Sequence, residues 1–288
     1  MLPNPPLLTL RDILLTPLPP VEWDCEPIIP HHRRVVVFGE FGALKSWILL
    51  HLGLHLAKGA SWLGTFPVTT PRNVLYIDEE MAEEDLRRRV KLLCSGMQAS
   101  PDEFPADFRA FSRVGVTFDA LGAYRLMAHL KRHAYEPSVV IVESLVRVLV
   151  GSENLSWDVA AFWRNVEPIL RGGSTIIVSH HMGKVSPDAP EPKLRGRARG
   201  STEILAGCDV GWGVEIVEEG SVSRLTCVKT RASRTPQGFR VTVTGTEDQV
   251  LLAVVDRGQP RQHHEDQANV PQVEDHRGIR SLLDSPLR

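Results

Sequence analysis

Hydrophobic residues in this chain are grouped in short uninterrupted runs, and longer stretches with a helical spacing of apolar positions lie between them. Continuous apolar runs are typical of strands buried on both faces, whereas apolar positions three and four residues apart predict helices packed by one face. The predicted strands are residues 35–38, 73–77, 139–142 and 174–178, with a weaker candidate at 108–114. The predicted helices are residues 47–57, 82–97, 121–134 and 157–170. This alternation predicts a parallel sheet covered by helices on both faces.

The pattern changes after residue 183. A loop rich in Pro, Arg and Gly occupies residues 183–200, and residues 201–206 predict a short helix. Four more strands are predicted at residues 210–217, 222–229, 239–243 and 250–254. Because turns join them, we expect them to run antiparallel and to extend one edge of the sheet. The predicted fold class is therefore α/β: a mostly parallel sheet covered by helices, with antiparallel strands added at its C-terminal edge.

Composition divides the chain into three segments. Residues 1–30 are proline-rich and predict an extended arm with one short helix, and residues 31–255 predict the main domain. Residues 256–288 are polar and charged, which predicts a mobile tail. Hydrophobic content of 42% and charged content of 24% are ordinary for a globular protein.

Cysteine usage and hydropathy bear on the compartment. Cys25, Cys94, Cys208 and Cys227 are scattered, without a C-x-x-C pair, which is typical of reduced cysteines. The N-terminus lacks a basic region followed by an apolar core, and no apolar run approaches the length of a membrane span. We therefore expect a cytoplasmic protein without membrane contact.

A nearly complete phosphate-binding loop lies between the first predicted strand and the helix that follows. The motif requires Gly, four residues, Gly, Lys and Ser or Thr, so that backbone N–H groups cradle phosphate at a helix N-terminus. Leu44 replaces the second glycine and is expected to strain the backbone or to crowd the phosphates, while Gly42 supplies part of the lost flexibility. The alternative is a strand–turn–helix that happens to contain Lys-Ser. The predicted nucleotide-binding residues are Gly39, Glu40, Phe41, Gly42, Ala43, Leu44, Lys45, Ser46 and Trp47.

Polar groups also follow three later strands, and the carboxyl ends of strands are where ligands bind in open α/β sheets. A carboxylate next to a metal binds Mg²⁺, and Glu143 is predicted for that role with Ser46. A second carboxylate, Glu80 or Glu79, is placed to orient water, and His180 or His181 could sense a terminal phosphate. The simpler alternatives are an acidic helix N-terminus and a fragment of a metal site without a third ligand. The strand ends in question are Asp78-Glu79-Glu80, Glu143-Ser144 and Ser179-His180-His181.

In these motifs the chain resembles the RecA-like P-loop ATPases of the RepA type, the hexameric plasmid and phage replication helicases and their relatives. The resemblance rests on residues 39–47, 74–81, 139–144, 176–184 and 199–201, and it covers roughly residues 23–243. It implies a RecA-like fold that binds ATP and Mg²⁺, with Lys45 on the phosphates. It also implies that Glu80 is the water-activating base, that Glu143 is the metal-side acid, and that His180, His181 and Lys184 sense phosphate.

The resemblance further implies that a neighbouring subunit supplies cations to the nucleotide in a homo-oligomeric ring. Arg199 resembles one such finger, and Lys229 with Arg231 resembles the Lys-x-Arg pair of hexameric helicases. The alternatives are a solvated basic loop for Arg199 and an exposed strand end for the pair.

A basic loop follows the last parallel strand. The net charge of -2 provides no global attraction for DNA, so any nucleic-acid contact must be local. The loop could bind the phosphates of single-stranded DNA, or it could be a solvated surface loop. The predicted nucleic-acid residues are Lys184, Lys193, Arg195 and Arg197.

The sequence thus predicts a Mg²⁺-dependent ATPase that acts on DNA in plasmid, phage or mobile-element replication. Two departures from the motifs of this family are expected to slow hydrolysis: Leu44 for Gly in the phosphate-binding loop, and Glu143 for the usual Asp at the metal-side position. They also favour the alternative, a non-hydrolysing, nucleotide-dependent assembly or regulatory module.

Overall fold

A large twisted sheet lies at the centre of the protein. The computed structural model describes residues 7–183, 193–231 and 234–257, which lie in the compact unit Met1–Gly258. The strands are β1 (Trp23–Cys25), β2 (Ile29–Pro30), β3 (Arg34–Gly39), β4 (Val74–Asp78), β5 (Phe108–Ser112), β6 (Val139–Glu143), β7 (Thr175–His181), β8 (Val210–Glu218), β9 (Val222–Thr230), β10 (Phe239–Gly245) and β11 (Val250–Arg257). The α-helices are α1 (Leu10–Leu15), α2 (Lys45–Lys58), α3 (Glu83–Gly96), α4 (Ala120–Arg132), α5 (Leu145–Val148), α6 (Ser156–Arg171) and α7 (Glu203–Ala206).

Within the described residues, nine strands form one sheet in the order β11-β10-β9-β8-β3-β7-β6-β4-β5. From β8 to β5 all neighbours are parallel, whereas β9, β10 and β11 are added antiparallel beyond β8. The predicted α/β class, a mostly parallel sheet with antiparallel strands at one edge, is therefore confirmed.

Alternation of side chains along the strands divides the apolar residues into two cores. On β3, Val35 and Val37 belong to the core beneath α2 and α3, whereas Val36 and Phe38 belong to the core beneath α4 and α6. Both faces are buried because successive side chains of a strand point to opposite sides of the sheet. Helix α2 is buried around most of its circumference, since the antiparallel extension also packs against it.

The N-terminal segment is more integrated than the sequence predicts. Residues 7–22 are exposed, including α1. Strands β1 and β2, which were not predicted, form an antiparallel ribbon that buries Cys25, Ile28 and Ile29 in the first core. Asp24 is fully buried, 2.7 Å from Arg72 Nε and 2.8 Å from His31 Nδ1. The end of the predicted arm, residues 23–30, therefore contributes to the core.

Three other expectations can be compared with the structure. Most of the predicted mobile tail, from residue 258 onward, lies outside the described residues. Within the described part of the chain, no helix combines the length and apolarity needed to cross a bilayer. The four cysteines are free, and Cys25, Cys208 and Cys227 are buried.

Candidate active site

The strand ends singled out in the sequence meet at one edge of the sheet. Strands β3, β7, β6 and β4 are consecutive neighbours, so their carboxyl ends lie side by side. Gly39 is in register with His181, and Asp78 is in register with Glu143. The topology therefore brings together the loop after β3, the acidic residues after β4 and β6, and the end of β7.

The loop after β3 follows the path of a phosphate-binding loop despite Leu44. Leu44 is the N-cap of α2 and has φ 60° and ψ 17°, the left-handed region that glycine adopts without strain. The predicted backbone strain is thus present, but the leucine side chain packs against the first core. Gly42 also has a positive φ of 83°. At Gly39, a Cβ atom would lie 2.4 Å from the Val214 carbonyl oxygen, so close approach of β8 requires glycine there.

The rest of the loop is held by contacts at its sides. The Ser223 hydroxyl donates to the Ala43 carbonyl at 2.9 Å. Trp47 is covered by the Arg89 guanidinium, whose carbon lies 4.7 Å from the ring centroid. Phe41 is 94% exposed, which leaves the tip of the loop open to solvent.

Lys45 points back into its own loop. Its Nζ donates to the Gly39 carbonyl at 3.1 Å and to the Glu40 carbonyl at 2.7 Å, and the residue is buried. Burial lowers the pKa of Lys45, while the charges of Glu143, Glu80 and Glu40 act in the opposite direction. The amine thus lies within the electrostatic reach of three carboxylates.

Glu143 and Ser46 have the chemistry of a cation site. The Ser46 hydroxyl donates to Glu143 Oε2 at 2.8 Å, and Oε1 of the same carboxylate is buried without a hydrogen-bond partner among the described residues. Burial raises the pKa of Glu143. The Ser179 and Ser46 hydroxyls act in the opposite direction on this pKa by hydrogen bonding to the carboxylate. A buried carboxylate beside two hydroxyls, with Oε1 left without a donor at normal hydrogen-bond geometry in the described part of the chain, fits a hard cation such as Mg²⁺. The described residues contain no group of three or more His, Cys, Asp and Glu that could bind a metal, so the other ligands would be phosphate and water.

Glu80, not Glu79, faces the space bordered by Lys45, Ser46 and Glu143, which is called the cleft below. Glu80 Oε1 accepts from the Ser144 hydroxyl at 2.6 Å and lies 3.6 Å from Arg147 Nε and 3.8 Å from His181 Nε2. Contacts with His181, the Ser144 hydroxyl and the Arg147 charge lower the pKa of Glu80 to about 2, against the effect of partial burial. Glu79 instead accepts from the backbone N–H groups of residues 115 and 116 at 3.0 and 2.8 Å.

Two residues near Glu80 were given no role of their own in the sequence analysis. Asp78 is buried, and its Oδ1 accepts from the N–H groups of Glu80 and Met81 at 2.8 and 2.7 Å, which fixes the turn after β4. Arg147 lies on α5, whose first turn follows Ser144 directly. The signal in the sequence that could have indicated Arg147 is its position three residues after Ser144, at the end of a strand.

The two histidines at the end of β7 have different surroundings. His180 is fully buried, and its Nε2 lies 2.7 Å from the Arg199 carbonyl, so it connects β7 to the segment after the basic loop. His181 is partly exposed and approaches Glu80. Of the two predicted phosphate sensors, His181 is the one that faces the cleft.

The residues predicted to act on a neighbouring subunit lie apart from the loop within the chain. Arg199 Nε lies 2.6 Å from Glu153 Oε1. Lys229 Nζ donates to the carbonyls of residues 205, 206 and 208 at 2.5, 2.9 and 2.6 Å, and Arg231 lies 3.6 Å from Asp209. Val210 is in register with Val35, so this end of β9 lies at the opposite edge of the sheet from the phosphate loop.

The basic residues predicted to bind nucleic acid also separate. Lys184 lies outside the described residues. Lys193 and Arg195 are exposed. Arg197 differs from the alternative interpretation, a solvated loop residue, because its guanidinium is bonded to Glu40 and lies 3.5 Å from Glu215 Oε1.

The fold and the site define an α/β protein with a strand–loop–helix of the phosphate-binding type and acidic residues at the neighbouring strand ends. A family model described as AAA domain matches residues 3–187, more than half of the chain, and the protein belongs to this family. The match supports the predicted P-loop AAA/RecA-like ATPase family, in which nucleotide-dependent ATPase activity and Mg²⁺ are typical, while the RepA type stays a prediction. No curated protein matches the chain.

Proposed function

We propose that this protein is a Mg²⁺-dependent ATPase of the RepA-like helicase type that acts on DNA in plasmid, phage or mobile-element replication. The observation that carries the proposal is the convergence of Lys45, Ser46, Glu143 and Glu80 at the carboxyl edge of β3, β6 and β4. In any phosphoryl transfer to water, catalysis depends on positioning and on charge stabilisation, and these four side chains are of the required kinds.

Each side chain has a separate task in this proposal. Lys45, once it leaves the carbonyls of its own loop, would bind the outer phosphates together with the backbone N–H groups of the loop. Ser46 and Glu143 would bind Mg²⁺, which when bound neutralises phosphate charge. Glu80 would orient the attacking water, and Ser144, Arg147 and His181 hold its carboxylate in the cleft.

The proposal extends to assembly and partners. Arg199, or Lys229 with Arg231, would act on the nucleotide of an adjacent copy in a ring, because none of the three contacts the loop of its own chain. Exposed Lys193 and Arg195 would bind single-stranded DNA. Four free cysteines agree with a cytoplasmic location.

The first experiment measures phosphate release and the binding of a fluorescent ATP analogue by the full chain. Lys45→Ala should abolish binding, whereas Glu80→Gln should keep binding and reduce turnover at least about hundredfold. Glu79→Gln is the matched control, because the neighbouring carboxylate contacts a loop outside the cleft. Turnover that survives both Lys45→Ala and Glu80→Gln would refute the site.

A second candidate function is a nucleotide-dependent assembly module without turnover. The strained Leu44 and the firmly held, weakly basic Glu80 favour it. Measuring the mass of the protein by light scattering, with and without ATP, separates the two candidates. Nucleotide-dependent assembly without phosphate release supports the module, and assembly accompanied by DNA-stimulated release supports the ATPase.

A further inference from the structure

Arg197 lies beside Glu40, near the start of the phosphate loop, although it belongs to the basic segment after β7. Its guanidinium is bonded to Glu40, the residue directly after β3, and lies 3.5 Å from Glu215 on β8. Only 10% of the Arg197 side chain is exposed. Strands β8, β3 and β7 are adjacent, and this ion-pair cluster lies where β3 ends beside β8.

The main chain around Arg197 is fastened to β7. The Gly183 N–H donates to the Arg197 carbonyl at 2.7 Å, and the Arg199 N–H donates to the His181 carbonyl at 3.1 Å. Met182 and Ala198 form an antiparallel bridge. The guanidinium is therefore presented to Glu40 by a backbone that is itself held at the edge of the site.

The charge balance at the loop gives this contact a consequence. Glu40, Glu80 and Glu143 all act electrostatically on Lys45, and Glu40 is the one that belongs to the loop itself. A polyphosphate bound to this loop would bring further negative charge close to Glu40. Charges at such distances in a partly buried site repel appreciably unless a cation compensates one of them.

We propose that Arg197 is a positioning residue of the nucleotide site, which pairs with Glu40 to brace the first turn of the phosphate loop and to cancel the repulsion between Glu40 and a bound polyphosphate. This assignment rests on the nucleotide-binding function proposed above. Arg197 need not touch the nucleotide, because it acts through Glu40. It gives the basic segment a role in the binding of nucleotide that its composition alone does not predict.

A double-mutant cycle tests the assignment through the dissociation constant of a fluorescent ATP analogue. Arg197→Ala should weaken binding roughly tenfold, since a charge-assisted contact is lost and Glu40 is left uncompensated. In the Glu40→Gln background, the same substitution should weaken binding less than about threefold, because no carboxylate remains to be compensated. Arg197→Lys should restore part of the affinity. Arg164→Ala, on the exposed face of α6, is the matched control for loss of an arginine and should leave the constant unchanged.

The outcomes separate this role from a structural one. Equal losses on Arg197→Ala in both backgrounds would mean general disruption of the fold and would overturn the assignment, as would an unchanged constant. If Arg197→Ala does not fold, Arg197→Gln in the wild-type and Glu40→Gln backgrounds provides the same cycle, and an unchanged constant or equal losses in the two backgrounds overturn the assignment. A wild-type chain that binds no nucleotide at all would instead overturn the proposed function, and with it the premise of this assignment.

Discussion

The left-handed conformation of Leu44 predicts an unusual order of stability for two substitutions. Leu44→Gly and Leu44→Ala both remove the packing of a half-buried leucine against the first core, so their difference reports on the backbone. At φ 60°, an L-residue is disfavoured relative to glycine by roughly 1–2 kcal/mol. This advantage of glycine is reduced by roughly 0.4–1 kcal/mol, because the unfolded chain has a greater conformational entropy with glycine than with alanine. We therefore expect Leu44→Gly to be more stable than Leu44→Ala by about 0.5–1 kcal/mol.

Urea unfolding followed by tryptophan fluorescence measures this difference, and the chain has six tryptophans to report it. Lys91, which is exposed in the interior of α3, supplies the matched control. There the alanine variant should be more stable than the glycine variant by about 1 kcal/mol, the opposite sign, because the backbone is helical. The strained conformation of the loop would be refuted if Leu44→Ala were as stable to urea as Leu44→Gly, or more stable, while the Lys91 variants showed the expected difference.

Three other predictions concern the charged groups. Glu143→Asp retracts the carboxylate by about 1.5 Å and should break its contact with Ser46. The Mg²⁺ concentration for half-maximal phosphate release should then rise about tenfold. An unchanged Mg²⁺ concentration for half-maximal release would contradict the proposed metal site. Because the pKa of Glu80 is depressed to about 2, its ionised form stabilises the fold above the unfolded pKa, so the wild type should be more stable than Glu80→Gln near pH 6. That difference should shrink as the pH falls from about 4.5 towards 2, and a difference constant with pH in acid unfolding would exclude the carboxylate as its source. Replacing Lys193 and Arg195 with Gln should weaken single-stranded DNA binding and reduce its salt slope by about one or two units in anisotropy titrations, whereas an unchanged slope would place the DNA contact elsewhere.

The parallel part of the fold could be predicted because its signals are local. Buried strands such as residues 35–38 are continuous apolar runs, and all but the last of them are followed by a stretch long enough for a crossover helix. Strand ends were less predictable, because they depend on the neighbour. Strand β7 continues to His181, three residues beyond the apolar run, since its ladder with β3 extends to Gly39.

The ribbon β1–β2 could not be predicted, because its stability comes from tertiary contacts. The sequence from Trp23 to Pro30 contains two acidic residues and two prolines and has no strand periodicity. In the fold, Asp24 is compensated by Arg72 and His31, and the Thr175 hydroxyl donates to its carboxylate. A buried carboxylate of this kind is stable only when such partners are present, and two of them, Arg72 and Thr175, come from distant parts of the chain.

At the site, the sequence predicted the residues that follow strands and missed the partners that reach them from elsewhere. Glu80 and Glu143 could be found because parallel strands end at one edge. The contact between Arg197 and Glu40 could not, because 157 residues separate the two. The separation of Lys229 from the phosphate loop could have been inferred from the sequence. Strand β9 runs antiparallel to β8, so it ends at the edge of the sheet opposite to the phosphate loop.

Leu44 and Glu143, the two departures from the motifs of the family, alter the stability of the site more than its geometry. Leu44 keeps the backbone in the left-handed region that the motif requires, so its cost falls on stability. The longer side chain of Glu143 still reaches the Ser46 hydroxyl at 2.8 Å, so its extra methylene is accommodated. Three carboxylates act electrostatically on Lys45, and Glu40 belongs to the loop itself. We therefore infer that the affinity for nucleotide depends on how those charges are compensated, by Arg197 at Glu40 and by a cation at Glu143, and that loss of either compensation weakens the binding of a polyphosphate.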